Sequence, residues 1–443
     1  MMLQDATRAL RGPMLTFVDD PFVVGDRAAL RYEPDALVVI SQGRVVSAGD
    51  YPSLAHTLPP DVALDHYPDA LILPGFIDTH VHYPQMQIMA GYGRQLLEWL
   101  DKYAFEAERA FADPDYASEV ATLFLSECLR AGTTTAMVYC TVHPQSVDAF
   151  FERSEALGTR MIAGKVMMDR HVPQDLRDSP QQSYDESKVL LQRWHKRGRQ
   201  LYCITPRFAP SSSDEQMRLA GALWQEFPDA YLQSHVAENT QEVAWVKDLH
   251  PHCSSYLDVY DRFGQLGPRS VFGHGIHLSE VELARCHEAG AAIAHCPTSN
   301  LFLGSGLFRI EAAKRADRPV RVGLATDIGG GTSFSALRTM SEAYKIAQLN
   351  GYSLSAAHAF YLATRGAARA LYLEDTIGSI APGYEADLVV LDLHSTPLID
   401  FRMKHCDDLH DALFVQMMLA DERATLATYV AGELRYRRAA HTA

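Results

Sequence analysis

Two histidines close an apolar run: Leu71-Ile-Leu-Pro-Gly-Phe-Ile77 leads into Asp78-Thr-His80-Val-His82. Side chains two positions apart on a β-strand point the same way. His80 and His82 can therefore offer two imidazoles to one metal ion. The pattern alone is weak, because 19 histidines in 443 residues make about one His-x-His pair expected by chance. His250-Pro-His252 has the same spacing, but it follows a helical run in a polar loop and reads as a surface pair. Three further stretches end strand-like runs with reactive side chains: Gln233-Ser-His235-Val-Ala-Glu238, Phe272-Gly-His274-Gly275 and Ala325-Thr-Asp327-Ile-Gly329. Taken singly, each could be a satisfied polar group in a core. Brought together, imidazoles and a carboxylate form a donor set suited to Zn²⁺. An ion so held lowers the pKa of water from about 16 towards about 7, which makes a nucleophile available at neutral pH.

These residues meet only if the elements carrying them converge. Apolar β-type runs are expected over 70–81, 133–140, 160–168, 201–208, 230–236, 270–277, 291–296 and 320–326, most of them bounded by Gly, Pro or polar clusters. Helical runs alternate with them over 114–130, 183–197, 214–227, 240–249, 280–289 and 307–316, with 334–349 and 353–373 after the last strand. Asp214 and Thr240 are the expected N-caps, and Gly132 and Gly290 the expected C-terminal stops. Eight strands interleaved with helices predict an α/β fold of the TIM type, a (β/α)₈ barrel whose C-terminal strand ends share one face. An open doubly wound sheet is the alternative, but the glycine fingerprint it uses after a first strand is missing. The ends differ from the middle: 36–40, Gly43 and 44–48 resemble a hairpin, as do 424–431, Gly432 and 434–436. Residues 1–70 and 382–443 are accordingly expected to combine into one small β domain beside a catalytic barrel over 71–381, since a lone tail of that size buries little.

Bulk properties exclude several classes. No run approaches 18 apolar residues, so no membrane helix is expected, and the first residues lack the basic and apolar regions of a signal peptide. The net charge of −15 argues against a nucleic-acid partner and leaves a small neutral substrate open. Seven cysteines with no Cys-x-x-Cys read as reduced thiols in a cytoplasmic protein rather than a disulfide frame. The same absence of Pro-Cys-x-x-Cys, together with that of His-x-Glu, sets the chain apart from the nucleic-acid-editing zinc deaminases.

The segments PGFIDTHVH, SHVAEN, GHG and TD at this spacing resemble the amidohydrolase superfamily, in particular its deaminase branch with one metal. PGFIDTHVHYPQ, QLLEWL, GTTTA, TPRFAPS, CPTSNLFLGSG, TDIGGGTSFS and PGYEADLVVLD extend the likeness over nearly the whole chain, and together they resemble the bacterial guanine deaminases. The resemblance implies hydrolysis of guanine to xanthine and ammonia, one Zn²⁺ per chain, and a homodimer. It implies His80, His82, His235 and Asp327 as metal ligands, His274 beside the attacking water and Glu238 as proton shuttle. Gln85 and the pair Arg207-Phe208 would hold the base. Dinuclear relatives carry a bridging lysine at the fourth strand end, where this chain has Thr205-Pro-Arg207. Lys165 lies on the third strand and is expected to be structural or to support the site from behind, so a single metal is favoured.

The residue chemistry agrees with a planar substrate. Gln85 supplies an amide donor and an acceptor, Arg207 a flat fork for a lactam oxygen and its neighbouring ring nitrogen, and Phe208 and Trp99 apolar walls. Asp327 can serve as both ligand and base. Gly329-Gly-Gly331 is expected to be a turn of close backbone approach. Two rival functions remain at this point: hydrolysis of another purine, pyrimidine or triazine-like ring at the same site, and a silent scaffold that keeps the barrel for partner binding.

Overall fold

A computed structural model describes residues 6–92 and 95–439. Its centre is a barrel of eight parallel strands in sequence order: Phe76–His82, Thr133–Tyr139, Arg160–Gly164 continued by Val166–Met167, Leu201–Pro206, Tyr231–Val236, Ser270–His274, Ala292–His295 and Arg321–Leu324. The segment after the eighth strand closes onto the first, where Asp327 N donates to His80 O (3.0 Å) and His82 N donates to Ile328 O (2.8 Å). The strands are buried along nearly their whole length, as expected for parallel strands covered on both faces.

The outer helices form where an apolar stripe follows a cap. In Pro114–Arg130, the Asp113 side chain accepts from Asp115 N, Pro114 takes the first turn, and Ala117, Ala121, Phe124, Leu125 and Cys128 face inward. The caps of the helices Asp214–Glu226 and Thr240–Leu249 lie one residue earlier than expected, at Ser213 and Asn239; Asn239 forms a capping box with Glu242. Gly290 ends its helix in the left-handed conformation (φ 74°).

The two chain ends share one sheet. Arg8–Phe17, Leu30–Ser41 and Arg44–Asp50 join Ala70–Pro74, Leu388–Asp392, Thr425–Val430 and Glu433–Arg437, with Ala63–His66 at the side of Arg8–Phe17. The single strand expected over 70–81 is thus two. Ala70–Pro74 pairs with Leu388–Asp392 in this sheet, and the chain crosses to the barrel at Gly75, where an added Cβ would meet Thr134 Oγ1 at 2.3 Å. Side chains also join the two units: Arg160 Nε and Arg199 Nε and Nη2 donate to Glu385 (2.8, 3.1 and 2.6 Å), and Arg199 pairs with Asp387.

Three further expectations need correcting. The helix over 353–373 is broken into Ala356–Leu362 and Arg365–Ala370, because Ala363 O is taken by Ile77 N (2.9 Å) of the first barrel strand. Only Ile310–Ala313 of 307–316 is helical. The C-terminal tail is not purely β: Pro397–Met403 and Leu409–Leu419 are helices, and the second buries Leu413, Val415 and Met417 in the large core that also holds Met340 and Phe360. No helix among the described residues is long and apolar enough to cross a membrane.

Candidate active site

The C-terminal strand ends bring the candidate ligands together. His80 and His82 alternate with Val81 on the first strand, His235 stands on the fifth, His274 ends the sixth, and Asp327 follows the eighth. His82 Nε2 and His235 Nε2 face each other at 3.2 Å. Asp327 Oδ1 lies 3.4 Å from His80 Nε2 and 3.6 Å from His82 Nε2. The nitrogen donors of His80, His82 and His235 lie within 4.8 Å of one another, as do ligand atoms of His80, His274, Cys296 and Asp327. His274 (φ 71°) and Asp327 (φ 51°) adopt left-handed backbone, which few non-glycine residues do.

This geometry fits a divalent cation. His80 Nε2 is buried without a hydrogen-bond partner. His235 Nδ1 donates to Arg207 O (2.6 Å), which leaves its Nε2 lone pair aimed inward. Burial, reinforced by the neighbouring cationic groups, holds His82 and His235 well below the ordinary imidazole range, and burial also lowers His80. Burial would raise Asp327, but the adjacent His80, with His274 and His235, brings it down to about 2. Neutral imidazoles beside an ionised carboxylate are the protonation states that a metal site needs. His80 has room only because Gly273 lacks a side chain: a Cβ there would lie 2.7 Å from His80 Cε1.

Beside these groups is a cleft. Glu238 and His274 line it with Gln85, Trp99, Arg207 and Phe208. Glu238 accepts from Ser305 Oγ (3.1 Å) and stands 3.3 Å from His274 Nε2; burial pushes its carboxyl up to about 7. His274 Nδ1 donates to Asn300 Oδ1 (2.9 Å). Burial alone would lower His274, but Glu238 and Asp327 raise it above the ordinary range. Gly329 packs against Gln85, where a Cβ would sit 2.5 Å from the Gln85 carbonyl, so the glycine turn does allow close approach.

Every site residue named from the sequence is therefore placed in or beside this cleft. His250 differs from its expected surface position: it is buried, with Nε2 3.1 Å from Arg170 Nη2, while His252 is exposed. Lys165 is fully buried at the third strand end and pairs with Asp178, away from the ligand cluster. All seven cysteines are free thiols.

Sequence reasoning missed several supporting groups. Glu108, fully buried, accepts from Arg207 Nη1 through both oxygens (2.8 Å each) and from Gln85 Nε2 (3.0 Å). Asp78 joins the first strand to the eighth by accepting from Thr326 N (3.1 Å) and Thr326 Oγ1, and burial raises it to about 7. Asn300 and Ser305 lie inside the quoted CPTSNLFLGSG stretch, and Asp78 inside PGFIDTHVH, so their motifs were visible but their partners were not. Glu108 lies on Phe105–Arg109, in a region without a strand-end pattern to draw attention to it.

Comparison with known proteins agrees with this architecture. The chain is 49% identical over 434 residues to a guanine deaminase of Escherichia coli K12, covering 97% of this chain and 98% of that protein. The solved E. coli guanine deaminase superposes with a TM-score of 0.95, over 98% of this chain and 100% of the other. A guanine deaminase structure from Bradyrhizobium japonicum, 36% identical, gives 0.92 over 98% and 100% of the two chains. The family model of the amidohydrolases matches residues 71–434, spanning the barrel, the ligand-bearing strand ends and most of the C-terminal segment, and the chain belongs to the amidohydrolase family.

Proposed function

We propose that this protein hydrolyses guanine to xanthine and ammonia with the help of one divalent ion, zinc by the character of the donors. The observation that carries the reading is the placement of three inward-facing imidazoles and an ionised Asp327 at a cleft that Gln85 and Arg207 also line. The 49% identity to E. coli guanine deaminase over nearly both chains supports guanine as the substrate. Neither rival function is favoured: the groups for binding and proton transfer are all present, and relatives at 49% and 42% identity are a guanine deaminase and a probable guanine deaminase.

His80, His82, His235 and Asp327 would hold the ion, which when bound acidifies water enough for attack near neutral pH. Asp327 accepts a proton from the attacking water, and His274 orients that water. Gln85 and Arg207 hold the base in plane, and Phe208 and Trp99 wall it. The water oxygen adds to the ring carbon that bears the exocyclic amine, and the C=N electron pair moves to the neighbouring ring nitrogen. Glu238, protonated to a useful degree because its pKa is near 7, donates its proton to that nitrogen. The resulting carboxylate takes the proton of the new hydroxyl, the proton held by Asp327 passes to the amine, the C–N bond breaks, and ammonia leaves as the carbonyl forms, which returns Glu238 to its protonated and Asp327 to its ionised state. A cytoplasmic homodimer, implied by the likeness, completes the reading.

Ammonia release and xanthine formation, measured over a panel of guanine, adenosine derivatives, cytosine and a triazine, test it directly. Guanine should give the highest kcat/KM. No turnover of guanine alongside turnover of another ring by the metal-loaded protein would overturn the substrate assignment.

A further inference from the structure

We infer that Glu108 is a positioning and specificity residue: by holding Arg207 in a neutralised pair, it makes the cleft select a neutral lactam over an anionic purine. The inference rests on the guanine reading above. Arg207 reaches the cleft from the end of the fourth strand, and Gln85 follows the first. Glu108 comes from a short helix outside the barrel, Phe105–Arg109, and bridges the two. Both of its oxygens lie 2.8 Å from Arg207 Nη1, and Oε1 also accepts from Gln85 Nε2 at 3.0 Å. The pair is sealed from solvent, with side-chain exposures of 3% for Arg207 and 1% for Glu108, and the guanidinium lies over the Phe105 ring, 5.4 Å from its centre.

Two consequences follow. Nε2 of Gln85 donates to Glu108 and otherwise abuts His82 Nδ1 at 3.4 Å, so its Oε1 is the atom left to face a donor on the base. Arg207 keeps donors for a lactam oxygen, yet its positive charge is already balanced by Glu108. An unpaired guanidinium at this depth would attract an anion strongly; the neutralised pair gives an anion no such advantage. The product of the assigned reaction is a dioxopurine, more acidic than guanine, so the pair also keeps the cleft from retaining ionised product.

The test is steady-state kinetics of Glu108→Gln with metal content measured on the same sample. Guanine KM should rise by about tenfold, as buried partners lose their fixed orientation, while kcat stays within about threefold and metal content is unchanged. Inhibition by xanthine should strengthen relative to the guanine KM, and strengthen further as pH is raised through the ionisation of xanthine. Glu108→Asp, which keeps the charge, should restore the wild-type pH trend. The wild type supplies a check that needs no variant: its inhibition by xanthine should weaken as xanthine ionises. Tightening in the wild type, or a Glu108→Gln variant in which KM and the xanthine inhibition constant rise in step at every pH, would overturn the proposal. A wild type that is fully metal-loaded but does not turn over guanine would instead count against the reaction assigned above.

Discussion

Burial sets the charge states in the cleft. It keeps the His82 and His235 imidazoles neutral, while it lifts Glu238 to about 7, where a carboxyl group can both give and take a proton at neutral pH. Glu238→Gln removes that exchange and leaves the shape. Its kcat should fall by about 10²–10⁴-fold with metal content unchanged; a near-normal rate would reject the shuttle role. Arg207→Ala should lower kcat/KM for guanine by at least about tenfold with little loss of metal, and loss of the metal in that variant would show that Arg207 supports the ligands instead. At this scale the sequence was informative where a residue type stands at the end of an apolar run, as with His80, His82, His235, His274 and Asp327. It was silent on Glu108, whose importance lies in contacts with Arg207 and Gln85, residues 99 and 23 positions away.

Elements place those residues, and close approach matters as much as secondary structure. The sixth strand carries His274, yet Gly273 is what admits the His80 ring from the first strand. Gly273→Ala should therefore lower metal affinity by about 10–100-fold while the fold persists by circular dichroism; unchanged affinity would mean that His80 has slack to move. Alternation of β-type and helical runs was legible because each barrel strand is a short buried stretch between polar turns. The boundaries that failed did so for tertiary reasons. The helix after Ser355 stops where Ile77 claims the Ala363 carbonyl, and the run 70–81 is divided because its halves pair in different sheets. Left-handed backbone at His274 and Asp327 leaves no composition mark, since neither residue is the glycine that such a conformation favours.

On the scale of the whole molecule, the sheet built from both chain ends is tied to the barrel by Glu385. Burial would raise this carboxyl, but Arg160 and Arg199 outweigh burial and hold it below its ordinary range. A depressed folded pKa means stability that is fully present above the unfolded value and lost as pH falls through the folded one. Glu385→Gln should thus cost about 3 kcal/mol near neutral pH, and its denaturation midpoint should converge on that of the wild type in acid. A gap that stays constant down to acid pH would contradict this account of the joint. The pairing of the two ends was legible from their hairpin patterns, whereas the helices Pro397–Met403 and Leu409–Leu419 were hidden in a tail whose other segments read as strands. The most direct test of the whole account is anomalous diffraction from crystals of the metal-loaded protein. One ion per chain, bound by His80, His82, His235 and Asp327, is the predicted result; two ions, or a single ion bound away from these four side chains, would contradict it.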